Sequence, residues 1–349
     1  MVRKKILVLF GGCSSEHEVS LVSAAAVLTH LDQARYETLP VGITADGRWL
    51  RYRGPIEAIP TREWEKNDAW CTPCAVIPDR GAKLLLLRSE PTTVEAYDAV
   101  FPVLHGKNGE DGTMQGLFEL AGVPLIGCGT LASALCMDKD RAHKLAALAG
   151  VDVPKSAVFI QGTPYSEILQ QAESLGWPLF VKPVRAGSSF GISRVSGPQA
   201  LKAAVQEAFL HDSEILLEEA IPGFEVGCAV LGNDSLITGA VDEIELARGF
   251  FDYTEKYTLK TSAIHCPARI PVETAGRIRD AACKIYRALG CRDFARVDLF
   301  LTPEGHIVFN EVNTIPGFTA HSRYPSMMKA VGIGFTDLLT RMIELEVPQ

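Results

Sequence analysis

The order of apolar runs in the first third of the chain constrains the fold most strongly. Short apolar runs such as "KKILVLFGG" (4–12) and "ETLPVGIT" (37–44) alternate with stretches of helical spacing such as "EVSLVSAAAVLTHL" (18–31). Short apolar runs bounded by turn residues are typical of buried strands, and apolar residues at helical spacing are typical of amphipathic helices. Because strands that alternate with helices form parallel sheets, this region is predicted to be an α/β domain with a mostly parallel sheet.

The last third of the chain has a different pattern. "FARVDLFLT" (294–302) and "HIVFNEVN" (306–313) alternate apolar and polar residues, which indicates antiparallel strands. At 349 residues the chain exceeds one ordinary hydrophobic core. We therefore expect three domains that combine α/β and α+β architecture. They are an N-terminal domain at 1–129, a central domain at 130–222 and a C-terminal antiparallel-sheet domain at 223–349.

Residues 247–262, "ARGFFDYTEKYTLKTS", show neither helical nor strand periodicity. A long irregular segment inside a compact protein is usually a lid or an active-site loop. This segment is therefore predicted to be a lid.

Composition excludes several classes of protein. Hydrophobic residues make up 47% of the chain and charged residues 22%, as in globular proteins. The net charge of −8 argues against a nucleic-acid partner and against a membrane surface. Nine cysteines are scattered, and Cys71 and Cys74 lack a second pair at zinc-site spacing. We therefore expect reduced thiols, no membrane partner and a cytoplasmic location.

A lysine interrupts the apolar strand "PLFVKPV", and the turn "RAGSSFG" follows it. Burial of Lys182 costs free energy unless an anion meets the charge. Gly187 and Gly191 let the backbone approach a ligand, and Ser188 and Ser189 add donors, so the segment is predicted to bind phosphate. The alternative is a hairpin turn in which Lys182 reaches out to water. The order of residues does not match a Walker A loop.

Three oxygen-bearing side chains on two predicted strands indicate a metal site. Glu311 and Asn313 are two residues apart, so they face the same side of their strand. Asp298 on a neighbouring strand can join them, and Arg296 shares its face. Such a set of hard ligands suits Mg²⁺ that bridges nucleotide phosphates. The alternative is a salt-bridged face in contact with solvent.

Taken together, six motifs in order resemble the D-alanine–D-alanine ligase family, whose members have the ATP-grasp fold. The motifs are "GGCSSEHEVS", "VFPVLHGKNGEDGTMQG", "ALCMDKDRAHK", "VKPVRAGSSFGIS", "DYTEKY" and "NEVNTIPGFT". They span essentially the whole chain. The resemblance implies ATP, two Mg²⁺ ions with Mn²⁺ as an alternative, D-amino-acid substrates and a homodimer.

The resemblance also assigns nucleotide-binding roles to individual residues. The residues that contact the phosphates would be Lys139, Lys182, Ser189 and, from the lid, Lys256. In the hinge segment "LEEAIPGFE", adenine would contact Glu218 and Ile221, ribose would contact Glu225, and Glu219 would belong to the same ATP-binding segment. Asp298, Glu311 and Asn313 would be the metal ligands.

Catalytic roles follow from the same resemblance. Glu16 would hold the ammonium group of the first D-alanine, and Ser188 and Tyr257 would complete a hydrogen-bonded triad with it. Arg296 and the backbone N–H of Gly317 would stabilise a tetrahedral oxyanion. The substrate pocket would also include His105 and Ser322. Two other histidines, His143 and His211, are predicted to be ordinary surface residues.

The expected chemistry needs each of these parts. A carboxylate is a poor electrophile, so ATP first converts it to an acyl phosphate, and cations offset the moving charge. A second amine then attacks, and preorganised donors stabilise the oxyanion. A closed lid keeps water from the acyl phosphate.

Two positions depart from the commonest pattern of the family. Arg323 follows Ser322 where an apolar residue is usual, and Phe251 stands where tyrosine is common. Both features resemble the vancomycin-resistance D-alanine–D-serine ligases of the VanG type. Arg323 is therefore predicted to contact the hydroxyl of D-serine, and the alternative is a salt bridge to Asp242 or another acid.

The second substrate is thus predicted to be D-serine, with D-alanine as the alternative and D-lactate disfavoured by the retained "DYTEKY" segment. The predicted product would serve peptidoglycan precursor synthesis and vancomycin resistance. A different class of function, a non-catalytic nucleotide-binding regulator on the same scaffold, stays open. An oxyanion stabiliser argues against it.

Overall fold

The computed structural model describes residues 2–81, 83–87, 93–187, 190–246, 262–319 and 321–347. These residues form seventeen strands, nine α-helices and two short 3-10 helices, at Ile56–Ala58 and Glu63–Glu65. The helices are α1 (His17–His30), α2 (Thr113–Leu120), α3 (Thr130–Met137), α4 (Lys139–Leu148), α5 (Tyr165–Leu175), α6 (Pro198–Phe209), α7 (Val272–Ala288), α8 (Arg323–Ala330) and α9 (Phe335–Glu346).

The first sheet contains seven strands in the order β6-β5-β4-β3-β2-β1-β7. Its strands are β1 (Lys4–Gly11), β2 (Tyr36–Ile43), β3 (Trp49–Tyr52), β4 (Cys71–Val76), β5 (Lys83–Leu86), β6 (Thr93–Ala96) and β7 (Ala99–Val103). β1 pairs in parallel with β2 and β7, as predicted, and each of its last six residues is buried. The pairings from β2 through β6 are antiparallel. The sheet is therefore mixed rather than mostly parallel, because the links between those strands contain no crossover helix.

The second sheet contains four antiparallel strands in the order β10-β9-β11-β8. They are β8 (Ser156–Ile160), β9 (Leu179–Pro183), β10 (Ser193–Val195) and β11 (Glu214–Glu219). α5 and α6 cover this sheet and bury Ile168, Leu201 and Val205 against it. α6 begins with Pro198 at its first position, where the missing N–H costs no helical hydrogen bond.

The third sheet contains six antiparallel strands. Five of them follow the order β15-β14-β12-β16-β17, and β13 pairs with the last two residues of β12. They are β12 (Phe224–Leu231), β13 (Ile237–Thr238), β14 (Asp242–Leu246), β15 (Ser262–His265), β16 (Phe294–Leu301) and β17 (Ile307–Asn313). The antiparallel pairing confirms the expectation from the alternating pattern.

Hydrophobic cores join these layers. α7 buries Ile278, Ala282 and Ile285, which are spaced three or four residues apart, against the third sheet. On the first sheet, α1 packs with residues of α8 and α9, among them Met327 and Leu338. This shared core holds the first and third sheets together around the start of α1. Within the described ranges, no helix has both the length and the apolar character needed to cross a membrane.

Candidate active site

A cavity of about 560 Å³ opens beside the N-terminus of α1. Segments that are far apart in the sequence form its wall, which explains why its shape cannot be read from any single motif. Nine residues predicted for the site contribute to this wall: Glu16, His105, Lys139, Arg296, Glu311, Asn313, Gly317, Ser322 and Arg323. The structure therefore brings the predicted catalytic, substrate and metal positions to one place.

Asp298, the third metal candidate, lies on β16 and accepts a hydrogen bond from Arg296, and the other predicted residues fall into two groups. The hinge candidates Glu218, Glu219, Ile221 and Glu225 lie on or after β11 and outside the residues that line the cavity, as does Lys182 on β9. Five predicted residues lie outside the described ranges: Ser188, Ser189, Phe251, Lys256 and Tyr257. Their assigned roles remain predictions.

Glu16 is the residue predicted to hold the ammonium group of the first D-alanine. Two glycines lie close to its carboxylate. A Cβ at Gly106 would stand 2.3 Å from Oε2 of Glu16, and a Cβ at Gly187 would stand 2.9 Å from the same atom. Gly106 also has a φ of +73°, which other residues rarely adopt. These glycines thus keep space around the Glu16 carboxylate at the cavity wall.

His105 is held in place by both of its ring nitrogens. Nδ1 lies 2.9 Å from the carbonyl oxygen of Ile315, and Nε2 lies 3.1 Å from Oγ of Ser23 on α1. Burial lowers the pKa of His105, although the nearby Glu16 carboxylate opposes this effect. A neutral imidazole between two fixed partners is suited to shape the pocket. Sequence reasoning missed Ser23, because a serine on a helix carries no distinctive signal.

Glu110 is a second residue that sequence reasoning missed, although it lies within the motif "HGKNGEDG". Its Oε1 accepts the backbone N–H of Ile315 (2.9 Å), and its Oε2 accepts the backbone N–H of Gly106 (2.8 Å). Burial and the nearby Glu16 carboxylate raise the pKa of Glu110 to about 8. Glu110 therefore joins the loop before α2 to the loop after β17.

Lys182 is buried, and its charge is met by Glu218. Nζ of Lys182 donates to Oε1 of Glu218 at 2.5 Å, and 7% of Lys182 and 2% of Glu218 are exposed. The alternative in which Lys182 reaches out to water is therefore wrong. Lys139 begins α4 and donates to the carbonyl oxygen of Ala186 at 2.6 Å, so it lies against the glycine-rich turn that follows β9.

His143 is buried beside this pair, so the expectation of a surface residue is wrong. Its Nε2 lies 2.9 Å from the carbonyl oxygen of Asn310. Its Nδ1 lies 4.0 Å from Oε2 of Glu218, and neither of these two buried atoms has a hydrogen-bond partner among the described residues. Burial lowers the pKa of His143. Unsatisfied buried polar atoms next to a lysine are suited to meet the polar groups of a ligand.

The metal candidates occupy neighbouring positions on β16 and β17. Asp298 pairs with Glu311 and Arg296 pairs with Asn313 across the two strands. Nδ2 of Asn313 donates to Oδ2 of Asp298 at 2.9 Å. Two carboxylates and one amide supply hard oxygen donors that fit a divalent cation such as Mg²⁺. Among the residues that the structure describes, no group of three or more His, Cys, Asp or Glu side chains is arranged for a metal.

Asp298 is neutralised by two arginines in this arrangement. Arg296 binds it in a bidentate manner, with Nε 2.8 Å from Oδ1 and Nη2 2.7 Å from Oδ2. Nη1 of Arg323 lies 3.3 Å from Oδ1 of Asp298. Because Asp298 is 1% exposed, these cations offset a charge that water does not solvate.

Arg323 has the contacts of the salt-bridge alternative. Its Nε and Nη2 each lie 2.8 Å from an oxygen of Asp242, and its Nη1 lies 2.8 Å from Oε1 of Glu225. Three carboxylates thus surround a buried guanidinium. The structure therefore favours the salt-bridge alternative for Arg323, and Glu225, which is predicted to contact ribose, is one of its partners.

Ser322 and Gly317 form a compact turn at the cavity. Oγ of Ser322 accepts the backbone N–H of Thr319 at 3.0 Å and lies 2.8 Å from Oγ1 of the same residue. A Cβ at Gly317 would stand 2.9 Å from Oγ of Ser322, so a side chain there would crowd the turn. Both residues line the same cavity as Arg296, and their assigned roles remain predictions.

Comparison with known proteins identifies the family. The family model for the D-ala D-ala ligase N-terminus matches residues 5–128, and the model for the D-ala D-ala ligase C-terminus matches residues 145–344. The chain belongs to the D-alanine–D-alanine ligase family. It is therefore a ligase, and its family implies ATP, a divalent metal and small amino-acid substrates. This finding leaves the regulator alternative without support.

Individual relatives match the chain over nearly its whole length. A D-alanine–D-alanine ligase of Caldicellulosiruptor bescii is 44% identical to this chain, and the alignment covers 99% of this chain and 96% of that ligase. The vancomycin B-type resistance protein VanB of Enterococcus faecalis is also 44% identical and covers 99% of each chain. The crystal structure of the VanG D-Ala:D-Ser ligase from Enterococcus faecalis is 55% identical, has a TM-score of 0.92, and covers 99% of this chain and 100% of that chain. The match to a solved ligase structure confirms the ATP-grasp fold expected from the motifs.

Proposed function

We propose that the chain joins D-alanine to D-serine through a D-alanyl phosphate, at the expense of ATP, in the synthesis of peptidoglycan precursors that confer vancomycin resistance. The observation that carries this proposal is the cavity that combines an anion for an ammonium group, Glu16, with a cation for an oxyanion, Arg296, and the oxygen donors of β16 and β17. The choice of D-serine is supported by the 55% identity with the VanG D-Ala:D-Ser ligase.

In the first step, the chain would orient the carboxylate of D-alanine toward the terminal phosphate of ATP. Glu16 would hold the ammonium group, and Lys139 and Lys182 would offset phosphate charge. Lys182 would exchange some of its contact with Glu218 for the nucleotide. Two Mg²⁺ ions held by Asp298, Glu311 and Asn313 would supply electrostatic stabilisation of the phosphate oxygens.

In the second step, the amine of the acceptor would attack the acyl phosphate. Arg296 and the backbone N–H of Gly317 would stabilise the oxyanion that forms, because preorganised donors in a site that excludes water are most effective there. Lys256, Tyr257, Ser188 and Ser189 would close the site from the lid and the glycine-rich turn. His105 and Ser322 would shape the acceptor side.

Phe251 and the turn that carries Ser322 and Arg323 would set the choice of acceptor. In this proposal Arg323 acts by fixing the position of the turn through Asp242 and Glu225, rather than by direct hydrogen bonding. The three domains would meet at the cavity with boundaries at 1–129, 130–222 and 223–349. The protein would act as a homodimer.

A product assay tests the proposal. The chain is incubated with ATP, Mg²⁺ and D-alanine, with and without D-serine, and the dipeptides are separated by mass spectrometry. We expect D-alanyl-D-serine as the main product when both amino acids are present at equal concentration. D-alanyl-D-alanine alone would establish the second candidate, a housekeeping ligase, which the 44% identity with the Caldicellulosiruptor bescii enzyme favours. Absence of any dipeptide from a folded sample would contradict both.

A further inference from the structure

Three cysteines from different parts of the chain meet behind the cavity wall. Cys136 lies on α3, Cys291 lies between α7 and β16, and Cys128 lies just before α3. The Sγ atoms of Cys136 and Cys291 are 3.6 Å apart, although 155 residues separate them in the sequence. Cys136 also lines the cavity, so a small molecule that enters the cavity can reach it.

The third cysteine is oriented differently. Sγ of Cys128 lies 3.4 Å from the carbonyl oxygen of Arg292 and 3.7 Å from that of Phe294, so backbone acceptors engage its thiol. Cys136 and Cys291 instead have each other as sulfur partners. Cys291 also interacts with the side chain of Cys128, so it lies between two thiols, and Cys136 is the one of those two that lines the cavity.

We propose that Cys136 and Cys291 are a redox-modification site, which a peroxide that enters the cavity joins as a reversible disulfide. The two sulfur atoms must approach by about 1.5 Å to reach the bond length of a disulfide, about 2.05 Å. Gly290, beside Cys291, has a φ of +68° and open space around it, so the loop before β16 can adjust.

The reaction balances with peroxide as the oxidant. Sγ of Cys136 attacks the O–O bond of hydrogen peroxide, which breaks, and gives a sulfenic acid and one water. Sγ of Cys291 then attacks that sulfur, the S–S bond forms, the S–O bond breaks and a second water leaves. The two thiol protons end in the two waters, and the sulfur atoms supply the two electrons that reduce the peroxide. The hydrogen bond with Cys291 lowers the pKa of Cys136, but burial together with Cys128 and Glu110 raises it above its ordinary value, so the reaction is slow at neutral pH.

The disulfide affects the site because α3 leads directly into it. Met137 and Lys139 follow Cys136 and line the cavity, and Lys139 is held by the carbonyl oxygen of Ala186. Closing the sulfur pair pulls the last turn of α3 toward β16, which carries Arg296 and Asp298. A shift of about 1 Å at a reacting group can cost up to about a hundredfold in rate, so we expect oxidation to lower turnover by at least about tenfold.

Peptide mapping tests the covalent part of the inference without any activity. The full chain is treated with hydrogen peroxide, remaining thiols are alkylated, and the digest is read by mass spectrometry before and after dithiothreitol. We expect a linked peptide pair that contains Cys136 and Cys291, lighter by two hydrogens than the sum of the two peptides, which dithiothreitol separates. The Cys283→Ala variant is the matched control, because Cys283 is a half-buried thiol on α7, and it should retain the link. A link between Cys128 and Cys291, sulfinic acids without a link, or no change would overturn the proposal.

Activity measurements test the consequence, which rests on the proposed function. We expect peroxide to lower the turnover of the wild-type protein, dithiothreitol to restore it, and Cys291→Ala to be insensitive. Loss of activity that persists in Cys291→Ala would overturn the assignment to this pair. An absence of ligase activity before oxidation would count against the proposed function alone, because the peptide map still reports the link.

Discussion

Replacement of Arg323 by leucine tests whether this residue is primarily structural. The guanidinium is buried among Asp242, Asp298 and Glu225, and Asp242 and Asp298 are essentially unexposed. Burial lowers the pKa of Arg323, but Asp242 and the other carboxylates raise it well above the usual value, so the residue is charged at every practical pH. Removing one partner of a buried ion pair leaves the other charge uncompensated, which costs about 3–5 kcal/mol. We therefore expect Arg323→Leu to lose stability of that order.

Urea unfolding followed by circular dichroism measures the loss. The matched control is Arg341→Leu, because Arg341 pairs with Asp337 and both side chains are about half exposed, at 44% and 50%. Exposed pairs contribute about 0–1 kcal/mol, so the control should change little. Adding Asp242→Asn to Arg323→Leu should recover part of the loss, since it removes one unpaired charge.

The same variants decide between the two roles of Arg323. A direct hydrogen bond to a serine hydroxyl would shift the ratio of D-serine to D-alanine incorporation by about 10- to 100-fold when it is removed. If Arg323→Leu changes this ratio to that extent and loses less than about 1 kcal/mol of stability, as the control does, the structural reasoning is refuted.

Three other predictions concern the cavity. Glu311→Gln should abolish turnover without lowering the melting temperature, because it removes charge from the proposed metal site and keeps the size of the side chain; wild-type activity across a magnesium titration would contradict this. The pKa of Glu110 is raised from its ordinary value of 4.5 to about 8, so the folded protein binds more protons between these values and loses stability as pH rises through this window. Glu110→Gln should flatten that dependence in urea unfolding at pH 5 to 8, and an unchanged slope would show that Glu110 does not titrate there. Gly106→Ala should raise the KM for D-alanine at least about tenfold, because a Cβ would stand 2.3 Å from Glu16 Oε2 and displace the carboxylate; Gly150→Ala, with positive φ but open space, is the control.

Local patterns predicted the relative positions of several candidate side chains correctly. The two-residue period of a strand placed Glu311 and Asn313 on one face, and the structure has them across from Asp298 and Arg296. The cost of a buried charge indicated that Lys182 needs an anion; the expected anion was phosphate, whose contact remains a prediction, and in the structure Glu218 meets the charge. These predictions succeeded because each depends on neighbours within a strand or on a single physical cost.

Predictions failed where the answer depended on distant residues. The N-terminal sheet was expected to be mostly parallel, but the pairings from β2 to β6 are antiparallel, because the links between these strands contain no α-helix that crosses back over the sheet. His143 was expected at the surface, yet it packs against β17, where the carbonyl oxygen of Asn310 lies 2.9 Å from its ring nitrogen Nε2. Glu110 was missed because its partners, Gly106 and Ile315, are four and 205 residues away.

The sequence by itself determined the family, the order of the motifs and the chemical type of each candidate group, because these depend on residue identity and short spacing. Only the tertiary structure decided which of these groups share the cavity, and which of them already form ion pairs or hydrogen bonds with other residues of the protein. Arg323 is the clearest case: its sequence position indicated a substrate donor, and its environment of three buried carboxylates engages that donor instead. The reason is that the free energy of a charge depends on its burial and on all charges near it, and those come from segments that only folding brings together.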